Sequence, residues 1–202
     1  MLTLDALLSM EKEALEEEAL GLEVQDLIAL VEWLSCQEDE IRYRSFLLLK
    51  FRSQHDRSVY QFWEAFRSRL SSGNSYQRSL GMMLLSENVR WDEEDRMGLL
   101  IDEYLRLLGD EKPITVRQCI QSLENILLYK PELSRVISER LIALPLEKIR
   151  ETMRKLILMD ILQILVPMRR YVQDPEIDRF INQALTGDIL DKKAKKQLEA
   201  LL

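Results

Sequence analysis

Four short phrases recur along this chain at nearly even spacing: Ile41-Arg42, Gln77-Arg78, Val116-Arg117 and Ile149-Arg150. Their arginines lie 36, 39 and 33 residues apart. Three positions after each comes Ser45, Gly81, Ile120 or Met153, and six positions after comes Leu48, Leu84, Leu123 or Leu156. A period in this range marks stacked helical units, each too small to bury its apolar stripe alone. The clearest copy is residues 109–130, GDEKPITVRQCIQSLENILLYK. Asp110 is placed to cap a helix, and Pro113 suits a first turn, where its missing N–H has no partner to lose. Val116, Cys119, Ile120, Leu123, Ile126 and Leu127 then share one face, and Pro131 stops the helix.

The rest of the chain divides the same way. Residues 3–19 read as an opening helix with Thr3 as cap, a stripe of Leu4, Leu7, Leu8 and Leu15, and a polar face almost wholly of Glu. Helix pairs follow at 22–34 with 41–54, 56–70 with 75–90, 92–108 with 114–129, and 132–144 with 147–166. A shorter pair closes the chain at 174–185 and 188–201. The breaks are brief and rich in Ser, Asp, Asn, Gly or Pro, as helix connections are. In the most apolar run, 156–166, the residues Leu156, Ile157, Ile161, Leu162 and Leu165 are expected inside, with Asp160 and Gln163 turned to a side or to a partner. Eleven residues are too few to span a bilayer, which takes about 20.

With only 6 Gly and 5 Pro in 202 residues, a turn-rich β fold is excluded, while 47% hydrophobic and 31% charged residues exclude a disordered chain. The acidic opening, MLTLDALLSMEKEALEEE, does not resemble a targeting peptide. Two cysteines 83 positions apart give neither a disulfide framework nor metal-ligand spacing, which points to a reducing, cytoplasmic setting. The net charge of −7 hides an asymmetry: residues 1–40 carry 12 acids and one Lys, whereas 41–90 carry nine basic residues, eight of them Arg, against three acids. The two blocks are either complementary to each other or two separate surfaces.

The repeated Arg-x-x-x-x-x-Leu phrase resembles the second helix of a HEAT or armadillo repeat. More narrowly, NSYQRSLGMML (74–84), DEKPITVRQCIQ (110–121) and ETMRKLILMDIL (151–162) resemble short bacterial helical proteins often labelled "SufBD protein". That resemblance covers about residues 20–170. It implies an all-α, right-handed α-solenoid of about five HEAT-like helix pairs. Residues 1–202 then form one domain: a capping helix at 1–20, core repeats at 21–170 and a C-terminal pair at 171–202. The label also implies a link to iron–sulfur cluster assembly.

No catalytic or metal-binding constellation emerges from the residues. His55, the only histidine, stands beside Asp56 with no nucleophile placed near it. The run Asp92-Glu93-Glu94-Asp95 lacks the glycine and the alternation of a calcium loop and reads as acids gathered at a helix start. No glycine-rich phosphate loop is present. The arginines remain. Arg42, Arg78, Arg117 and Arg150, at equivalent helix starts, are expected to form a ladder, either tying neighbouring units together or facing a partner. With Arg44, Arg57, Tyr76 and Trp91 they make the candidate binding surface, because Arg and aromatic residues anchor interfaces. The expected function is a non-enzymatic scaffold without cofactor, holding a protein partner on a concave face. Nucleic-acid binding, as in HEAT-like DNA glycosylases, is the alternative; a pI near 5.0 and the acidic first 40 residues weigh against it. An accessory role in iron–sulfur assembly is a third reading.

Overall fold

Side-chain caps decide where many of these helices begin. In the computed structural model, which describes residues 1–200, the Thr3 hydroxyl accepts the Ala6 N–H at 3.2 Å and opens α1 (Leu4–Ser9). A 3-10 turn (Lys12–Ala14) and α2 (Leu15–Leu20) follow. Glu23 and Asp26 form a reciprocal capping box on α3 (Val24–Trp33), and α4 runs Asp39–His55. Asp56 caps a 3-10 stretch (Arg57–Phe62) that leads into α5 (Trp63–Arg69), and Asn74 caps α6 (Ser75–Asn88). After α7 (Arg96–Leu105), α8 (Pro113–Tyr129) starts with proline in its first turn. Then come α9 (Ser134–Ile142), α10 (Glu151–Met168), α11 (Pro175–Thr186), capped by Asp174, and α12 (Lys192–Glu199), capped by Asp191. The described residues contain no strand, so the fold is all-α. The last expected helix reached Leu201, which lies outside the described residues.

The helix expected from 56 is 3-10 up to Phe62 and α-helical only from Trp63, and the one expected from 188 begins at Lys192. Three others differ in extent, each for a local reason. The opening helix is broken at Met10 and Glu11, which are extended. The break is stabilised because the Arg44 guanidinium donates to the carbonyls of Leu7 (3.3 Å) and Met10 (2.5 Å). The helix expected from Asp92 begins only at Arg96, because the Asp92 carboxylate accepts the N–H groups of Arg96 and Met97, both at 2.9 Å. Asp95, at φ 55°, makes the turn between them. Finally, α10 begins at Glu151 rather than 147, and a 3-10 turn (Leu146–Lys148) occupies the approach.

The chain divides into two compact units, Met1–Met97 and Gly98–Leu202, with the division inside α7. In the first, α4 is the hub: α1, α2, α3 and α6 all pack on it, and α5 packs on α6. Leu7, Leu15, Leu27, Leu30, Leu48, Leu49, Trp63, Phe66 and Leu84 are buried in this core. The α5–α6 crossing is close. A Cβ added to Gly81 would lie 2.5 Å from the Phe66 carbonyl oxygen and 2.7 Å from the Arg69 Cβ, so glycine is required there. In the second unit α8 packs on α10, while α11 packs on both α9 and α10. All six residues of the expected α8 stripe are buried, as are Ile157, Ile161, Leu162 and Leu165 on α10. Leu156 does not join them. It is 41% exposed, because it shares a helix face with the exposed Gln163 and Pro167, seven and eleven positions on.

Candidate functional site

The arginine-rich block is largely engaged in closing helix ends. The last carbonyls of an α-helix have no partner within the helix and carry the negative end of its dipole. In the first unit one cationic or N–H donor after another meets them. Arg44 holds the end of α1, and Arg52 donates to Ala19 (3.1 Å) and Leu20 (2.5 Å) at the end of α2. Arg69 reaches the Val31 carbonyl and Gln77 the Leu34 carbonyl at the end of α3. Arg90 donates to the Gln54 carbonyl, and the Trp91 indole N–H donates to that of Ser53 at 2.7 Å, closing α4. Charge-assisted bonds of this kind are worth about 1.5–3 kcal/mol each. Burial holds the Arg69 guanidinium below its usual pKa.

The expected ladder has a different register from the one its phrases suggest. Arg42 and Arg78 both stand fourth in their helices, and each reaches back to a carbonyl six residues earlier: Cys36 at 2.9 Å and Ser72 at 2.8 Å. The residue in that place on α10 is Arg154, which donates to the carbonyls of Ile149 and Glu147, both at 2.8 Å. Arg150 lies before the helix, at its N-cap, and is exposed. Arg117 is fifth in α8 and points elsewhere. Its Nε and Nη2 grip the two oxygens of Asp160 at 2.6 and 3.1 Å, and Gln121 donates to the same carboxylate at 3.0 Å. Asp160 raises the Arg117 pKa through this hydrogen bond.

The other candidate residues divide between core and surface. Arg44 is buried and also pairs with Glu40 at 2.5 Å. Arg42 pairs with Asp39 and lies over the exposed Tyr76 ring, 4.8 Å from its centroid, a cation–π contact. Trp91 is half-buried beneath Arg90. Arg57 is solvent-facing, 4.0 Å from Glu93. Residues gathered in one list by the sequence are therefore not one surface.

Arg150 instead belongs to a cleft of about 660 Å³ in the second unit, between the start of α8 and residues 144–150. Its floor is apolar, with buried Leu108, Val116 and Ile157 beside Leu144. At its rim stand the exposed Lys112, Lys148 and Arg150 with Asp110 and Glu111. Lys112 lies 3.8 Å from Glu111, and Asp110 accepts the Lys112 N–H at 2.8 Å. Lys148 and Arg150 have no carboxylate within ion-pair distance among the described residues. Sequence reasoning missed Lys148. The visible signal was its place two residues before Arg150 in a stretch, LEKIR, too short and too near Pro145 to be a helix start.

Groups with chemical potential lie apart from this cleft. His55 is exposed at the end of α4. Cys119 is fully buried, its Sγ 3.8 Å from the Tyr104 carbonyl, and burial pushes its thiol up and away from reactivity. The Tyr60 hydroxyl donates to Asp92 at 2.8 Å, and burial together with that carboxylate pushes its pKa up. No group of three or more His, Cys, Asp or Glu among the described residues could hold a metal ion. No helix among them is long and apolar enough to cross a membrane. The chain matches no protein-family model and no curated protein.

Proposed function

We propose that the chain is a non-enzymatic scaffold, a right-handed α-solenoid of HEAT-like pairs that holds a protein partner. Packing of like on like supports the architecture. Within each unit one second helix packs on another, α4 on α6 and α8 on α10, and α11 packs on both α9 and α10. That is how stacked pairs extend one core while leaving long faces for binding. The resemblance to the "SufBD protein" group adds iron–sulfur assembly as a pathway in which such a scaffold could serve.

The observation that carries the binding site is the cleft with an apolar floor and the unpaired Lys148 and Arg150 at its rim. A floor of this kind takes an apolar side chain, and free cations orient an acidic one beside it. The nucleic-acid reading rested on the arginines of 41–91, and most of those guanidinia already bond carbonyls or carboxylates. Affinity capture from native lysate, with and without nuclease, tests the proposal. A nuclease-resistant protein partner should be held by the wild type and lost by the folded K148E/R150E variant. Capture dominated by nuclease-sensitive material would defeat it.

A further inference from the structure

The opening of the first unit carries a surface of a different kind. On α3, Val24 (49% exposed) and Ile28 (36%) stand one helical turn apart and share a face. Leu20, 49% exposed, precedes them at the end of α2, and Leu4 and Leu8 stand one turn apart on α1, also solvent-facing. The Leu2 N–H donates to Asp26 at 2.5 Å and ties the start of α1 to the first turn of α3. The buried set of the same helices, Leu7, Leu15, Leu27 and Leu30, already packs inward. Val24 and Ile28, with Leu20 just before them, leave a short apolar face exposed on α3 among the described residues.

Its surroundings state what could cover it. Asp5, Glu11, Glu13, Glu16, Glu17, Glu18 and Glu32 are exposed on the same elements and have no cation within ion-pair distance among the described residues. Lys12 is the one positive side chain in residues 1–40. Seven unpaired carboxylates repel an acidic ligand, a nucleic acid or an anionic lipid surface, and they attract a cation-rich chain. Side chains repeating at i and i+4 along a helix match the spacing of a second helix laid against it.

We infer that α1–α3 form a docking surface for a basic amphipathic helix, whose apolar stripe covers Val24, Ile28 and Leu20 and whose lysines or arginines meet the surrounding carboxylates. This partner site is separate from the cleft on the second unit, so one scaffold would hold two ligands of opposite charge.

The test uses the full chain and a fluorescein-labelled 18-residue Lys/Leu peptide with helical spacing, beside a scrambled peptide of the same composition that cannot form one apolar face. The helical peptide is expected to bind at least tenfold more tightly by anisotropy, and to weaken in 0.5 M salt. V24D/I28D keeps the surface acidic while removing the stripe, so it should lose at least tenfold; L99D, at an 88% exposed position on the second unit, should not change binding. Circular dichroism and melting first establish that both variants are folded. Equal binding of the scrambled peptide, or unchanged or tighter binding by V24D/I28D, would reduce the surface to nonspecific charge and overturn the inference. A concentration-dependent dimer in sedimentation that V24D/I28D dissolves would also overturn it, by showing a second copy as the occupant. K148E/R150E should leave the peptide affinity unchanged, which separates this surface from the proposed cleft.

Discussion

Arg117 holds Asp160 in a two-pronged grip across α8 and α10, Nε to Oδ2 at 2.6 Å and Nη2 to Oδ1 at 3.1 Å. Asp160 is 5% exposed in the middle of α10, so its charge is tolerated because Arg117 and Gln121 reach it. Asp160→Ala leaves Arg117 and Gln121 without their acceptor. A loss of about 2–4 kcal/mol is expected from urea unfolding, less than the full cost of an orphaned buried ion because the Arg117 side chain is 25% exposed.

Two residues expected on the α10 stripe should respond differently. Ile161 is fully buried, and Ile161→Ala should cost about 2–5 kcal/mol. Leu156, on the outer face, should tolerate Ala within about 0.5 kcal/mol. Thermal melts of the two variants decide whether α10 is seated as described.

Gly81 fixes how closely α6 approaches α5. Ala is the better helix former, yet its methyl meets the Phe66 carbonyl oxygen and the Arg69 Cβ, so Gly81→Ala should destabilise by about 1–3 kcal/mol. A rise in melting temperature would mean that the helices are farther apart.

Acid should loosen the last helix. Lys155 at 2.5 Å and the Ala194 N–H hold the Asp191 carboxyl below its usual pKa of 3.8. A group depressed in the folded state stabilises fully above its unfolded pKa, and the effect is lost as pH falls through the folded value. Amide protection factors over 192–199, relative to the intrinsic rate at each pH, should therefore be high at pH 6 and fall below pH of about 3.8, with Asp191→Ala already poorly protected at pH 6.

Much of this architecture was legible from spacing alone. Val116, Cys119, Ile120, Leu123, Ile126 and Leu127 are all buried, because a 3.6-residue period leaves one face for the core. Asp160 was expected to need a side or a partner, but Arg117 stands 43 residues away and no local rule pairs them. The repeat phrase misplaced Arg150, and Leu156 falls on the exposed face with Gln163 and Pro167. A 3-10 turn at Leu146–Lys148 delays α10, and the equivalent place passes to Arg154. The candidate site was less legible than the fold. Arg44 and Trp91 look like binding residues in sequence because carbonyls of helices 34 to 38 residues away, which engage them, leave no pattern in it.

The central claim is that the arginines of 41–91 build the first unit and leave recognition to other residues. Arg44→Lys tests it most directly, since the charge is kept while the forked reach to Leu7, Met10 and Glu40 is lost. Equilibrium urea unfolding of the full chain should show a loss of about 1–3 kcal/mol with partner capture unchanged at concentrations where the variant is folded. Unaltered stability with loss of the partner would contradict the claim and return Arg44 to the binding surface.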